Sequence, residues 1–123
     1  MLFDSTILIA HLRGDPRARE LLRREAATAR AYASVISRTE IEGGMRSDER
    51  AEVRRLFEAL TLLPVTDAIA RRAGLHLRAH RASHPGIDLA DYLIGATAEE
   101  RELELATLNA RHFPALKGLR APW

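Results

Sequence analysis

Four short apolar runs punctuate the chain, and the stretches between them are too long and too amphipathic to be hairpin turns. The runs are Leu2 and Phe3, residues 31–36 (AYASVI), residues 62–65 (LLPV) and residues 103–107 (LELAT). Antiparallel strands can be joined by a tight turn, but strands separated by helices run parallel and cross over with one hand. A parallel sheet made this way is covered by helices on both faces. The alternation therefore restricts the chain to a layered α/β fold.

The helices announce themselves by their ends. Asp15 followed by Pro16 supplies an N-cap and a first-turn proline for "DPRARELLRREAA", which carries Ala18, Leu21, Leu22 and Ala26 on one face. Ser37 reads as the start of "SRTEIEGGMR", and Val53, Leu56, Phe57 and Leu60 form a single stripe over residues 51–60. "TDAIARRAGLHLRAHRA" is helical in pattern despite Gly74, and Pro85-Gly86 breaks it before a helix from about Asp88 to Arg101. "LNARHFPALKG" reads as a loop with a short helical turn. No repeat, low-complexity stretch or linker interrupts residues 1–123, which read as a single domain, and a hydrophobic content of 46% suffices for one core.

Composition narrows the chemistry. With no cysteine, disulfides, thiolate metal sites and a cysteine nucleophile are excluded, leaving oxygen and imidazole donors. No apolar run approaches the roughly 18 residues of a membrane span, and no basic segment followed by a long apolar stretch marks the N-terminus, so the expectation is a soluble, cytoplasmic protein. Net charge is +2, and the nineteen basic residues include one lysine, Lys117. Arginine suits bidentate phosphate contacts, which gives an anionic partner modest support.

In open parallel sheets, sites form beyond the C-terminal ends of the strands. Asp4 follows the first strand, Glu40 lies in the helix after the second, and Thr107 and Asn109 follow the fourth. Asp91 sits in the first turns of the helix that feeds that strand. On the same helix face, Gly95 and Ala98 would let the helix approach the sheet and bring Asp91 toward Asp4. Three carboxylates in one pocket repel at roughly 4 kcal/mol per pair, for a separation of about 4 Å and an effective dielectric near 20. A hard divalent cation, Mg²⁺ or Mn²⁺, removes that cost, and such a site can activate water against a phosphodiester.

Local readings compete at each position. "SRTE" at 37–40 is a capping box in its own right, Asp88 looks like an N-cap with Asp91 as its acidic N3 partner, and Asp4 would cap the helix after it. Thr107 and Asn109 are ordinary turn residues. His76, His80 and His84 recur at helical spacing, but Pro85 takes His84 off the helix and a solvated face is preferred over a zinc site. Glu42 would point about 200° away from Glu40. His112 and Arg111 lie near the site and could meet phosphate, with a surface loop the commoner reading, while Phe113 reads as a core anchor.

The segments "LFDSTILIA", "SVISRTEIEGG", "DLADYLIGATA" and "LATLNARHF" together resemble the PIN-domain ribonucleases, especially the toxins of virulence-associated toxin-antitoxin pairs. The resemblance covers essentially the whole chain. It implies a three-layer α/β/α sandwich around a parallel sheet of four or five strands and divalent-metal-dependent RNA cleavage. It further implies a homodimer, and a cognate antitoxin bound in a hetero-oligomer. Carried over by motif, Asp4, Glu40 and Asp91 are the acidic metal-site residues, Asn109 replaces a fourth acidic residue, and Ser5 and Thr107 orient ligands or waters. Partner binding is expected through the helices near 16–27 and 48–60. The rival reading is a non-catalytic or signalling α/β domain with an acidic Mg²⁺ pocket. A phospho-acceptor domain of that kind needs a lysine after the last strand, and Lys117 lies in the tail.

Overall fold

Strands of two or three residues build the sheet: β1 (Leu2–Phe3), β2 (Tyr32–Ser34), β3 (Thr61–Leu63) and β4 (Leu105–Ala106). They lie in the order β3-β2-β1-β4, and every neighbouring pair is parallel. The structure, a computed structural model, describes residues 1–119 and 121–123. Leu2 stands opposite Tyr32 on one side and Leu105 on the other, with Phe3 opposite Ala106. Six helices connect and cover these strands: α1 (Ser5–Leu12), α2 (Pro16–Ala27), α3 (Val35–Gly44), α4 (Arg50–Glu58), α5 (Asp67–His80) and α6 (Leu89–Glu100). Single 3₁₀ turns lie at Ser47–Glu49 and Ala110–His112.

The period-2 geometry of the strands divides the core. Phe3, Ala33 and Ala106 face α1, α2 and α4, where Ile7, Leu8, Leu21, Leu22, Val53, Leu56 and Phe57 close around them. Leu2, Leu63 and Leu105 point to the other face, against Ile94 and Ala98 of α6 and the ring of Phe113. α5 packs on α6 through Ile69, Ala73, Tyr92 and Ala96. The result is the three-layer α/β/α arrangement with a four-stranded parallel sheet. Among the described residues, no helix is long and apolar enough to cross a membrane.

The strands are short because helix caps end them. Asp4 follows Phe3 directly and caps α1, and Ser34 is both the last residue of β2 and the cap of α3, its hydroxyl accepting from Ile36 N. This corrects the start expected at Ser37: Val35 and Ile36, β-branched and apolar, read as strand but form the first turn of α3. Ser37 is fully buried inside that helix, so "SRTE" is not a capping box. β1 stands as expected at Leu2–Phe3, while β3 is shifted and β4 trimmed, with Val65 outside β3 and packed on the α5–α6 cluster instead. The caps at Asp15 and Asp88 stand where the sequence places them, and α5 ends at His80, leaving His84 beyond it.

α6 explains the small residues near Asp91, in a different way from the one expected for Gly95. Ala98 packs with the sheet, but a Cβ on Gly95 would stand 3.1 Å from Phe113 Cδ1, so the glycine admits that ring rather than a strand. Phe113 is buried, as an anchor for the segment after β4.

Candidate active site

Asp4 is the centre of the arrangement. Its side chain caps α1, with Oδ1 accepting from Thr6 N at 2.9 Å, Ile7 N at 3.3 Å and the Thr6 hydroxyl. Oδ2 accepts from the hydroxyl of Thr107, across the β1–β4 seam. Two threonines then lock the crossing. Thr6 Oγ1 accepts from Leu108 N at 3.0 Å, and Thr107 Oγ1 accepts from Asn109 N at 2.9 Å. The carboxylate is only 3% exposed. Burial pushes its pKa above the ordinary carboxylate value, opposed by the hydroxyls of Thr107 and Thr6 and by the backbone amides. A buried carboxylate with four donors and a raised pKa carries an unmet demand for positive charge.

Glu40 reaches the same edge from α3. Ser5 Oγ stands 2.6 Å from Glu40 Oε1 and 3.0 Å from Ser37 Oγ. A carboxylate can only accept, so the single proton of Ser5 goes to Glu40 and the buried Ser37 supplies its own. Glu42 faces elsewhere, in an ion pair with Arg38 at 3.1 Å. Asp91 arrives from α6, where Asp88 Oδ1 caps its amide at 3.1 Å. Its carboxylate turns away from that cap, and Oδ2 lies 2.9 Å from His112 Nδ1. Burial raises the Asp91 pKa most, the His112 contact lowers it, and the charges of Asp88 and Asp4 raise it again. Asp4 and Asp91 therefore sense one another.

Hydrogen bonds join Asp4, Thr107, Asn109, His112 and Asp91 in one network, and Ser5 with Glu40 forms a separate pair next to Asp4 in the chain. No three Asp, Glu or His side chains among the described residues form a cluster that would close on one ion. The donor chemistry nevertheless fits a hard divalent cation, because Asp4, Glu40, Asp91, Ser5, Thr107 and Asn109 offer only carboxylates, hydroxyls and an amide, and two of the carboxylates are destabilised by burial. Sequence reasoning missed Thr6, which gave no local signal, since Leu108 is 102 positions away. His112, placed near the site with a surface loop preferred, touches both Asp91 and Asn109.

The PIN domain family model matches residues 1–119. The chain belongs to the PIN-domain family. This PIN domain is 48% identical to "Ribonuclease VapC10" of Mycobacterium tuberculosis, over 100% of its own length and 92% of that protein. It is 42% identical to "Ribonuclease VapC19" of the same organism, over 99% and 98%. Among solved structures it is similar to a toxin-antitoxin complex from Klebsiella pneumoniae, with a TM-score of 0.81 and 27% identity over 99% of this chain and 97% of that one. A DNA-bound VapBC from Salmonella typhimurium gives a TM-score of 0.78 and 25% identity over 98% and 94%.

Proposed function

We propose that this PIN domain is the toxin of a type II toxin-antitoxin pair, an endoribonuclease that hydrolyses RNA phosphodiester bonds in the cytoplasm. The observation that carries the reading is the hydrogen-bonded run from Asp4 through Thr107, Asn109 and His112 to Asp91, with Glu40 tied to Ser5 next to Asp4 in the chain. The names of its relatives support the same activity. Mg²⁺ or Mn²⁺ held by these carboxylates would neutralise charge on a phosphate and lower the pKa of an attacking water. The chain's own residues do the positioning. Thr6 and Thr107 fix Asp4, and Ser5 orients Glu40.

An antitoxin partner fits the groove between α1, α2 and α4. That groove, about 650 Å³, is lined by Leu12, Leu22, Ala26 and Leu56 with Arg19 and Glu52 at its margin. An amphipathic helix laid into it would meet apolar walls and charged rims. Homodimerisation belongs to the same proposal. The test is end-mapping of RNA cut by purified, antitoxin-free protein in Mg²⁺ or Mn²⁺. Asp4→Asn and Asp91→Asn are expected to abolish cleavage while circular dichroism stays native-like. Full cleavage by both variants would refute the assignment.

A further inference from the structure

His112 enters the site from the 3₁₀ turn Ala110–His112, and its Nδ1 lies 2.9 Å from two atoms at once: Asp91 Oδ2 and Asn109 Nδ2. An ionised carboxylate only accepts, so the contact with Asp91 puts a proton on Nδ1. A ring nitrogen that carries a proton has no lone pair left for an amide N–H. Amide oxygen and nitrogen are assigned from the surrounding network, so the Asn109 amide can be turned over. Its carbonyl oxygen then faces Nδ1, and one N–H is shared between two acceptors. The reverse arrangement, with a bare Nδ1, would ask a single lone pair to serve both Asn109 and a protonated Asp91.

The turn that carries His112 is braced. His112 N donates to Asn109 O and Phe113 N to Ala110 O, each at 3.0 Å. Phe113 is buried and seated against Gly95, one helical turn beyond Asp91. The imidazole is therefore held by the core.

We propose that His112 is a positioning residue whose Nδ1–H clamps Asp91 Oδ2 and the Asn109 carbonyl together. The clamp leaves Asp91 Oδ1 for a divalent cation and presents the Asn109 amide NH₂ as a donor to an anionic oxygen such as an RNA phosphate. In this position Asn109 is a donor and does not imitate a fourth carboxylate. The inference rests on the metal-dependent reading above.

Two measurements test it, neither of which requires cleavage. Long-range ¹H–¹⁵N NMR of the unaltered protein at neutral pH is expected to show the His112 ring protonated at Nδ1, and a bare Nδ1 overturns the clamp. Mn²⁺ is then titrated by calorimetry into the unaltered protein, His112→Ala and His112→Asn, without RNA. Partners that orient a ligating group typically contribute about 10–100-fold in metal affinity, so His112→Ala is expected to weaken Mn²⁺ binding by at least about tenfold. His112→Asn, whose amide N–H lies near the Nδ1 position, is expected to recover part of the loss. Unchanged affinity in His112→Ala, or no recovery by His112→Asn with both variants folded by circular dichroism, overturns the inference alone. Absence of Mn²⁺ binding by the unaltered protein overturns the cofactor reading and the clamp with it.

Discussion

Thr107→Val isolates the hydroxyl that ties the two ends of the site together. The side chain is fully buried, and valine nearly reproduces its shape while lacking the hydroxyl. That hydroxyl donates to Asp4 Oδ2 and accepts from Asn109 N. A hydrogen bond to an ionised partner contributes about 1.5–3 kcal/mol, and an orphaned buried N–H costs about 1–3 kcal/mol. The two losses share one atom and Asn109 is part-buried, so the expected destabilisation is about 2–4 kcal/mol. Thr107→Ser keeps the hydroxyl and deletes one methyl group, at about 1 kcal/mol. Urea unfolding at pH 7 in EDTA reads the difference, with an unchanged m-value confirming that stability alone has moved. The valine variant should unfold at clearly lower urea than the serine variant. Equal midpoints, or a more stable valine variant, would refute the account of Asp4 as a carboxylate held across the β1–β4 seam.

His11 should make stability sensitive to mild acid. Burial and the charge of Arg19 hold its pKa below the ordinary imidazole value against the opposing pull of Glu52, and its Nδ1 is buried with no partner among the described residues. Below about pH 6.5 the unfolded chain takes up a proton that the folded chain resists, so stability is present above that pH and falls as pH drops, by at most about 1.4 kcal/mol per pH unit for one proton. His11→Gln should flatten urea midpoints between pH 7.5 and 5.5, and parallel curves would contradict this. Gly95→Ala and Gly74→Ala should diverge. The former drives a methyl against the buried Phe113 ring, so overpacking of about 1–3 kcal/mol outweighs the helix-propensity gain, and RNA cleavage falls with the displaced His112. Gly74 is exposed with nothing within 4 Å, so its alanine variant should gain about 1 kcal/mol. A higher melting temperature for Gly95→Ala would show that Phe113 yields without cost.

The layered fold was legible because its signals are local. Changes of hydrophobic period mark elements, Asp15 and Asp88 mark helix starts through bonds to amides two or three residues on, and Pro16 does so by its fixed φ. The same locality misled at Val35 and Ile36, where β-branched residues next to a strand disguised a helix whose cap, Ser34, belongs to the strand. Topology alone suggested grouping Asp4, Glu40 and Asp91, since Asp4 directly follows β1, Glu40 lies in the helix after β2 and Asp91 lies in the first turn of the helix that feeds β4. The pairings that hold them could not, although the family resemblance names Ser5 and Thr107 as supports. Thr6 with Leu108, Ser5 with Glu40 and His112 with Asp91 are pairings across 102, 35 and 21 positions, and no short window of sequence contains both partners.

The threonine crossing between β1 and the residues after β4 also sets an order in time. Asp4 and Thr107 are separated by 103 positions, so at roughly 5–20 residues per second the ribosome needs about 5–20 s to make the second after the first. Through that interval Asp4 has no Thr107 to hold it, and β1 has no β4 beside it. A nascent chain therefore lacks both the Asp4–Thr107 bond and the β1–β4 pairing until its last sixth has been made.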